Sequence, residues 1–205
     1  MKRLAALIAV FVCCFGGVAW ADGDPASDVL ASARVFWPYN LEVPKESREK
    51  LNETVTAVTR NGLPVRVAMV QSEFDLGSVG VLFGHPQDYS QFLAQGLANF
   101  NRDWVIVVMP GGYGIYRCVP ITNVGFCEKA VPSEADQKRL RTLAPVSKSG
   151  QDMAAAAEQA VRTFADGRGV SADSGGGVGV VAPVAGSIVG ILLALAFFAR
   201  RGVSS

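Results

Sequence analysis

The feature that most constrains this chain is a pair of strongly apolar segments, one at each end. Residues 178–199 are 22 consecutive residues without a charge, and Arg200 and Arg201 follow them. A stretch of this length is sufficient to cross a hydrocarbon core about 30 Å thick, and a soluble helix of the same length normally carries a polar face. The sequence therefore predicts a transmembrane helix over 178–199, with the arginine pair in the cytoplasm under the positive-inside rule.

The N-terminal segment has the pattern of a secretory signal peptide. A basic start and an apolar region over residues 4–18 precede Ala19 and Ala21, which fit the small-x-small cleavage rule. We therefore predict a signal peptide over residues 1–21. An uncleaved N-terminal anchor is the alternative, which the shortness of the apolar run disfavours. Both ends then place the intervening domain outside the cytoplasm and leave a cytoplasmic tail at residues 200–205.

Small residues recur at every fourth position of the predicted span. Such a ridge allows two helix backbones to approach closely, which favours a homodimer in the membrane. The alternative is that glycine and alanine are simply frequent in membrane helices. The ridge consists of Ala182, Gly186, Gly190 and Ala194.

Between the two ends, composition divides the chain into a domain at residues 22–166 and a tether at residues 167–177, which is rich in glycine and serine. A segment of this composition is typical of a flexible linker. The whole chain has a net charge of +1. A nearly neutral chain disfavours nucleic acid as a partner, because phosphate binding requires clustered lysines and arginines.

Hydrophobic periodicity within the domain predicts a small α/β fold. An apolar strand, an amphipathic helix and a second apolar strand follow one another, which predicts a βαβ unit within a small mixed sheet flanked by helices. Residues 35–37 are interpreted as a short strand or a packing clip, and residues 71–84 as a loop. The predicted helices are 45–61, 86–100, 133–143 and 152–165, and the predicted strands are 63–70, 104–109 and 113–118.

Two cysteines, Cys118 and Cys127, remain after removal of the signal peptide. Disulfides persist outside the cytoplasm, and closing this short loop would contribute about 2.7 kcal/mol in the chain-entropy model. The alternative is a metal or catalytic thiol, but two cysteines without a nearby histidine or third cysteine form a poor zinc site. The sequence thus favours a disulfide between them.

Ligands of open α/β sheets tend to bind beyond the carboxyl ends of the strands. Two groups of residues are predicted to reach that edge. Glu73 and Asp75 offer oxygen ligands to Ca²⁺ or Mg²⁺, although solvated loop carboxylates are the alternative because no ligand spacing such as an EF-hand is present. The remaining ligand-edge candidates are His85, Asp88, Gly111, Gly112 and Tyr113.

The order of these features resembles the TPM-domain family over residues 41–165. The resemblance is carried by a helix leading into a strand, LNETVTAVTRNGLPVRVAMV, and by an apolar strand turning into a hairpin, WVIVVMPGGYGIYR. It implies a small extracytoplasmic α/β/α domain, and members that bind Ca²⁺, act as phosphatases or assist assembly of membrane complexes. Residues 109–112 depart from the family pattern, which usually has acidic and basic residues there, so that only Gly112-Tyr113-Gly114 carries over.

The sequence contains no P-loop, dinucleotide fingerprint or nucleophile elbow. We therefore expect a non-catalytic binding or assembly module at the outer face of a bacterial cytoplasmic membrane, with a membrane or envelope protein as its partner. The alternative is a divalent-metal-dependent phosphatase of the cell envelope that uses Glu73 and Asp75.

Overall fold

Two fully buried strands form the centre of the fold. In the computed structural model, β2 (Val65–Met69) and β3 (Trp104–Met109) are buried at every position and pair in parallel, with Val67 opposite Ile106. The structure describes residues 23–120, 127–130 and 134–173. Continuous apolar strands of this kind need cover on both faces, because side chains alternate between the two sides of a sheet.

The central strands belong to a four-stranded mixed sheet in the order β1-β2-β3-β4. β1 (Val35–Phe36) runs parallel to β2, and β4 (Gly112–Tyr116) runs antiparallel to β3. A separate two-stranded antiparallel sheet consists of β5 (Cys118–Pro120) and β6 (Cys127–Ala130). The predicted mixed α/β class is thereby confirmed.

Five helices of the described residues surround the sheet. They are α1 (Pro25–Ser32), α2 (Lys45–Arg60), α3 (Pro86–Leu97), α4 (Glu134–Arg141) and α5 (Gly150–Gly167). Helices α2 and α5 bury their apolar sides against one face of the sheet, where Phe164 meets Trp104 edge-on at 5.0 Å between ring centroids. Helices α1 and α3 cover the other face, so the sheet is enclosed between two helical layers.

The parallel strands give the domain two distinct ends. The end at which β1, β2 and β3 begin, marked by Arg34, Asn61 and Arg102, is here called the amino pole. The end at which they finish, marked by Val70 and Pro110, is called the carboxyl pole. Helices α1, α2 and α3 each lead back to the start of a parallel strand, so they begin near the carboxyl pole and end near the amino pole.

Most predicted elements are confirmed with shifted ends, and two expectations were wrong. The helix predicted over 86–100 ends at Leu97, and Phe100, the last residue of the predicted helix, is 71% exposed. The segment predicted as a loop over residues 71–84 contains a 3₁₀ segment, Glu73–Leu82, with a kink at Gly77. This segment has no regular apolar period, and its only local signal is the capping-box spacing of Ser72 and Asp75.

Helix α1 was not predicted at all. Asp24 caps it, because the carboxylate accepts hydrogen bonds from the Ser27 amide at 3.0 Å and from the Ser27 hydroxyl at 2.6 Å. Pro25 occupies the first turn, where a missing amide proton costs nothing. With only 8 residues, α1 is too short to show a clear apolar stripe.

The chain remains packed on the domain beyond residue 166, where a flexible tether was predicted to begin. The side chain of Ala172 is only 6% exposed. Asn61 donates a hydrogen bond to the Ser171 carbonyl at 2.8 Å, and Arg168 lies 2.5 Å from Asp136 and 4.6 Å from the Trp104 ring centroid. Residues 167–173 thus belong to the domain, although their composition is that of a linker.

Several predictions fall outside the described residues. These are the signal peptide, the span over 178–199 with its small-residue ridge, and the tail. Within the part of the chain that the structure describes, no helix combines the length and the apolar character needed to cross a bilayer. For the cysteines, the backbone places Cys118 and Cys127 on paired strands, and Cys118 is buried; the bond between them stays a prediction.

Candidate functional site

An open cleft of about 450 Å³ lies at the carboxyl pole. It is bounded by the start of α3, by the turn joining β3 to β4, and by the residues that follow α4. All five ligand-edge candidates predicted from the sequence line it, and they come from two separate segments of the chain. They are His85, Asp88, Gly111, Gly112 and Tyr113.

The first wall of the cleft is the beginning of α3. Pro86 takes the first helical position, and Asp88 stands in the first turn, where a carboxylate interacts favourably with the helix dipole. His85 Nδ1 lies 3.9 Å from Asp88 Oδ2, with both side chains about two-thirds exposed, at 65% and 68%. This pair faces water, so it offers a ligand polar contacts rather than an enclosed acid–base pair.

The floor of the cleft depends on close approach between β4 and α3. A Cβ atom on Gly114 would lie 1.9 Å from the Pro86 carbonyl oxygen, so no larger residue fits there without moving the backbone. Gly112 has φ of +122°, a conformation that L side chains rarely adopt. The glycines of the hairpin therefore fix the distance between the two sides of the cleft.

Gln87 fastens the start of α3 to the outer edge of β4. Its side-chain amide donates to the Ile115 carbonyl at 2.9 Å and accepts from the Ile115 amide at 3.2 Å. The side chain thereby pairs with β4 as a neighbouring strand would, and it satisfies backbone groups that an edge strand leaves open. This contact makes the first wall and the floor one rigid unit.

The second wall comes from the segment after α4. The Tyr113 hydroxyl donates to the Ala144 carbonyl at 3.0 Å, and burial raises the pKa of this hydroxyl, which keeps it protonated. Arg141 also lines the cleft; it is exposed, and its guanidinium lies 3.4 Å from the Gln137 side-chain oxygen. Sequence reasoning missed Arg141, because the basic last turn of α4 does not reveal which part of the sheet it approaches.

The two predicted metal ligands lie outside the lining of this cleft. Asp75 is 2% exposed, and its carboxylate accepts hydrogen bonds from the backbone amides of Gln71 at 2.9 Å, Ser72 at 3.0 Å and Tyr39 at 3.3 Å. Glu73 is exposed to solvent. Asp75 therefore organises the loop after β2, and a metal ion would have to displace these amides to reach it.

The described ranges contain no group of three or more histidine, cysteine, aspartate or glutamate side chains placed to hold a metal ion. The chain matches no known protein family, and no curated protein or solved structure is significantly similar to it. The residues of the cleft themselves are thus the basis for a functional proposal.

Proposed function

We propose that this chain is a membrane-tethered, extracytoplasmic binding or assembly module of TPM-like type. Its carboxyl-pole cleft holds a segment of another membrane or envelope protein. The observation that carries the proposal is the convergence of the five ligand-edge candidates on one open cleft. Its volume of about 450 Å³ falls within the range of about 300–1,000 Å³ typical of binding sites.

The chemistry of the cleft suits recognition of a peptide. The glycines of the hairpin allow another backbone to approach closely, and the Tyr113 ring supplies a flat apolar contact. Arg141 on one wall and Asp88 on the other offer charges of opposite sign. Rigid aromatic and arginine contacts are the kind that contribute most to protein interfaces.

In this proposal, the two end segments determine where the domain works. Signal peptidase removes residues 1–21, and residues 178–199 hold the protein in the membrane with residues 200–205 in the cytoplasm. The small-residue ridge of the span brings two copies together. A partner in the same membrane or envelope then meets the cleft at high effective concentration, because tethering confines both proteins to one compartment.

A site-specific crosslink tests the proposal in intact cells. A photo-reactive amino acid replaces Asp88 in the cleft, and the matched control replaces Glu53, an exposed residue on α2. We expect one discrete adduct with an envelope protein from the Asp88 position and none from Glu53. An Arg141→Glu change in the same chain should reduce the yield of that adduct. The absence of any discrete adduct from the cleft position, with the protein present in the membrane fraction, contradicts the proposal.

The contacts of Asp75 do not favour the metal-dependent phosphatase. Three backbone amides occupy its oxygens, and hydrogen bonds of this kind to a carboxylate are about twice as strong as neutral ones. The exposed His85–Asp88 pair also lies in water rather than in the desolvated setting that tunes catalytic groups.

A further inference from the structure

We propose that the amino pole of the domain docks on the surface of an anionic phospholipid bilayer, with Phe100 at the lipid interface. This inference rests on the proposed membrane tether. It adds an orientation: the domain stands on its amino pole, and the cleft at the carboxyl pole faces away from the lipid. Three features of the amino pole support this orientation: its charges, its exposed apolar side chains and the position at which the chain leaves the domain.

Arginines are concentrated at the amino pole. Arg60 ends α2, Arg102 precedes β3, and both are exposed. Arg117 follows β4 and donates to the Arg102 carbonyl at 2.8 Å, so these two side chains start from adjacent backbone. Such side chains suit lipid phosphates, which arginine binds through two parallel hydrogen bonds. The arginines of this pole are Arg34, Arg60, Arg66, Arg102, Arg117, Arg139 and Arg168.

Two carboxylates of this pole are directed into the protein. Asp103 pairs with Arg66 at 2.9 Å and has 15% of its side chain exposed. Asp136 pairs with Arg168 at 2.5 Å and has 2% exposed. The acids that remain at the surface include Asp166 and Asp173, and Asp173 pairs with Arg162 at 2.9 Å. The positive charge of Arg60 and Arg102 is therefore available to an anionic surface.

An exposed aromatic ring lies among these arginines. Phe100 is 71% exposed in the turn between α3 and β3, two positions before Arg102. Val119, two positions after Arg117, is 42% exposed. An exposed apolar ring close in the chain to arginine is a combination found at surfaces that lie in the lipid headgroup region. Burial in lipid would remove from water a ring that the domain leaves 71% exposed.

The opposite pole carries carboxylates at the starts of three helices, together with the basic side chains of Lys45 and Arg141. Glu46, Asp88 and Asp152 stand in the first turns of α2, α3 and α5, near the carboxyl pole, where carboxylates complement the helix dipoles. The chain also leaves the described domain at the amino pole, since Ser171 is bonded to Asn61 there. The exposed arginines and the position at which the chain leaves the domain thus both favour the amino pole as the surface that meets the lipid.

Fluorescence quenching in reconstituted vesicles tests this orientation on the full-length protein. A cysteine replaces Asn99 beside Phe100, or Ser78 on the 3₁₀ segment as the matched control; both positions are exposed. Each cysteine carries an environment-sensitive fluorophore, and the lipids carry a headgroup or shallow-chain spin label. In vesicles containing phosphatidylglycerol, we expect strong quenching at Asn99 and little at Ser78. About 1 M salt, which shortens the Debye length to about 3 Å, should reduce quenching at Asn99.

Variants separate the charge and apolar contributions. Arg60→Gln combined with Arg102→Gln, or Phe100→Ser alone, should lower quenching at Asn99 by about twofold or more, because the first change removes attraction to anionic lipid and the second removes the apolar contact. Phe74→Ser at the carboxyl pole, where the ring is 83% exposed, should leave it unchanged. Circular dichroism checks that every variant remains folded.

The same vesicles distinguish failure of the tether from failure of the inference. Release of the protein by alkaline carbonate overturns the tether and the orientation together. Retention of the protein with equal quenching at Asn99 and Ser78, or with stronger quenching at Ser78, overturns the orientation alone. Retention with no quenching at Asn99 in phosphatidylglycerol also overturns it.

Discussion

Asp24, at the start of α1, also contacts α3, which lies on the same face of the sheet. Its carboxylate is 7% exposed and accepts a hydrogen bond from the Tyr89 hydroxyl at 2.5 Å, besides capping α1 through Ser27. Burial raises the pKa of Asp24, and the hydrogen bonds from Ser27 and Tyr89 oppose that effect. Burial also raises the pKa of Tyr89, which remains a donor. One carboxylate thereby joins α1 to α3.

The pH dependence of folding tests this arrangement. The folded protein binds a proton at Asp24 more tightly than the unfolded chain, whose reference pKa is 3.8. The stability contributed by this residue is therefore largest at or below that pH, and it falls as the pH rises through the raised pKa. Asp24→Asn removes the titration, so the free energy of unfolding of the wild type relative to this variant should decrease as the pH rises above the unfolded-state pKa of 3.8.

Urea unfolding of residues 22–173 at several pH values measures this difference. Asp28→Asn, which removes an exposed carboxylate from the same helix, serves as the control for a simple change in net charge. A difference between wild type and Asp24→Asn that is constant or increases with pH would contradict the raised pKa.

At the scale of helices and strands, an element can be predicted from sequence when it is long enough to show a regular spacing of apolar residues. Helix α2 and strand β3 were predicted because each is long enough to show its apolar pattern. Helix α1 and the 3₁₀ segment were missed, since the information that forms them lies in single capping side chains, Asp24 and Asp75. A capping residue looks the same in sequence as any solvated aspartate, which is why Asp75 was predicted as a metal ligand.

The candidate site likewise contains some residues that the sequence predicts and others that it does not. The edge rule for parallel strands places His85 and Gly111 at the carboxyl pole, and both residues line the cleft there. Arg141 and the pairing of Gln87 with Ile115 were not predictable, since they depend on how α4 and α3 are placed against β4. Tertiary placement of this kind has no local sequence signal.

The role of Asp75 as a capping residue leads to a prediction about metal ions. Asp75→Asn loses the acceptor charge for three backbone amides, and this should lower the free energy of unfolding by about 1–3 kcal/mol. Millimolar Ca²⁺ or Mg²⁺ should leave the melting temperature of the wild type unchanged, because the amides already occupy the carboxylate. Glu73→Gln, an exposed neighbour, is the matched control and should have little effect.

Thermal melts of wild type and both variants, with and without metal, make this measurement. A metal-dependent rise in melting temperature that disappears in both variants would instead establish a cation site at Glu73 and Asp75. Turnover of a phosphate ester by the same sample would then favour the phosphatase alternative over the binding module.

For the whole molecule, the position at which the packed domain ends decides how many residues separate it from the predicted span. Residues 168–173 look like linker, yet Arg168 stacks on Trp104 and pairs with Asp136, and Ala172 is buried. Each residue that packs on the domain shortens the free segment before the predicted span. A shorter tether restricts orientation, which is what docking of the amino pole on a bilayer requires.

Truncation measures this boundary directly. A chain ending at Asp173 keeps the contacts of Arg168 and Ala172, whereas a chain ending at Gly167 loses them, although Asp136 still pairs with Arg139 at 3.7 Å. Because the lost contacts are one charged hydrogen bond and the packing of Arg168 on Trp104, we expect the shorter chain to be less stable by about 1–3 kcal/mol. Arg168→Met in the longer chain should reproduce most of that loss, since methionine retains apolar bulk but not the charge. Equal stability of the two truncated chains in urea would show that the domain ends at residue 167 and that the residues beyond it contribute nothing to its fold.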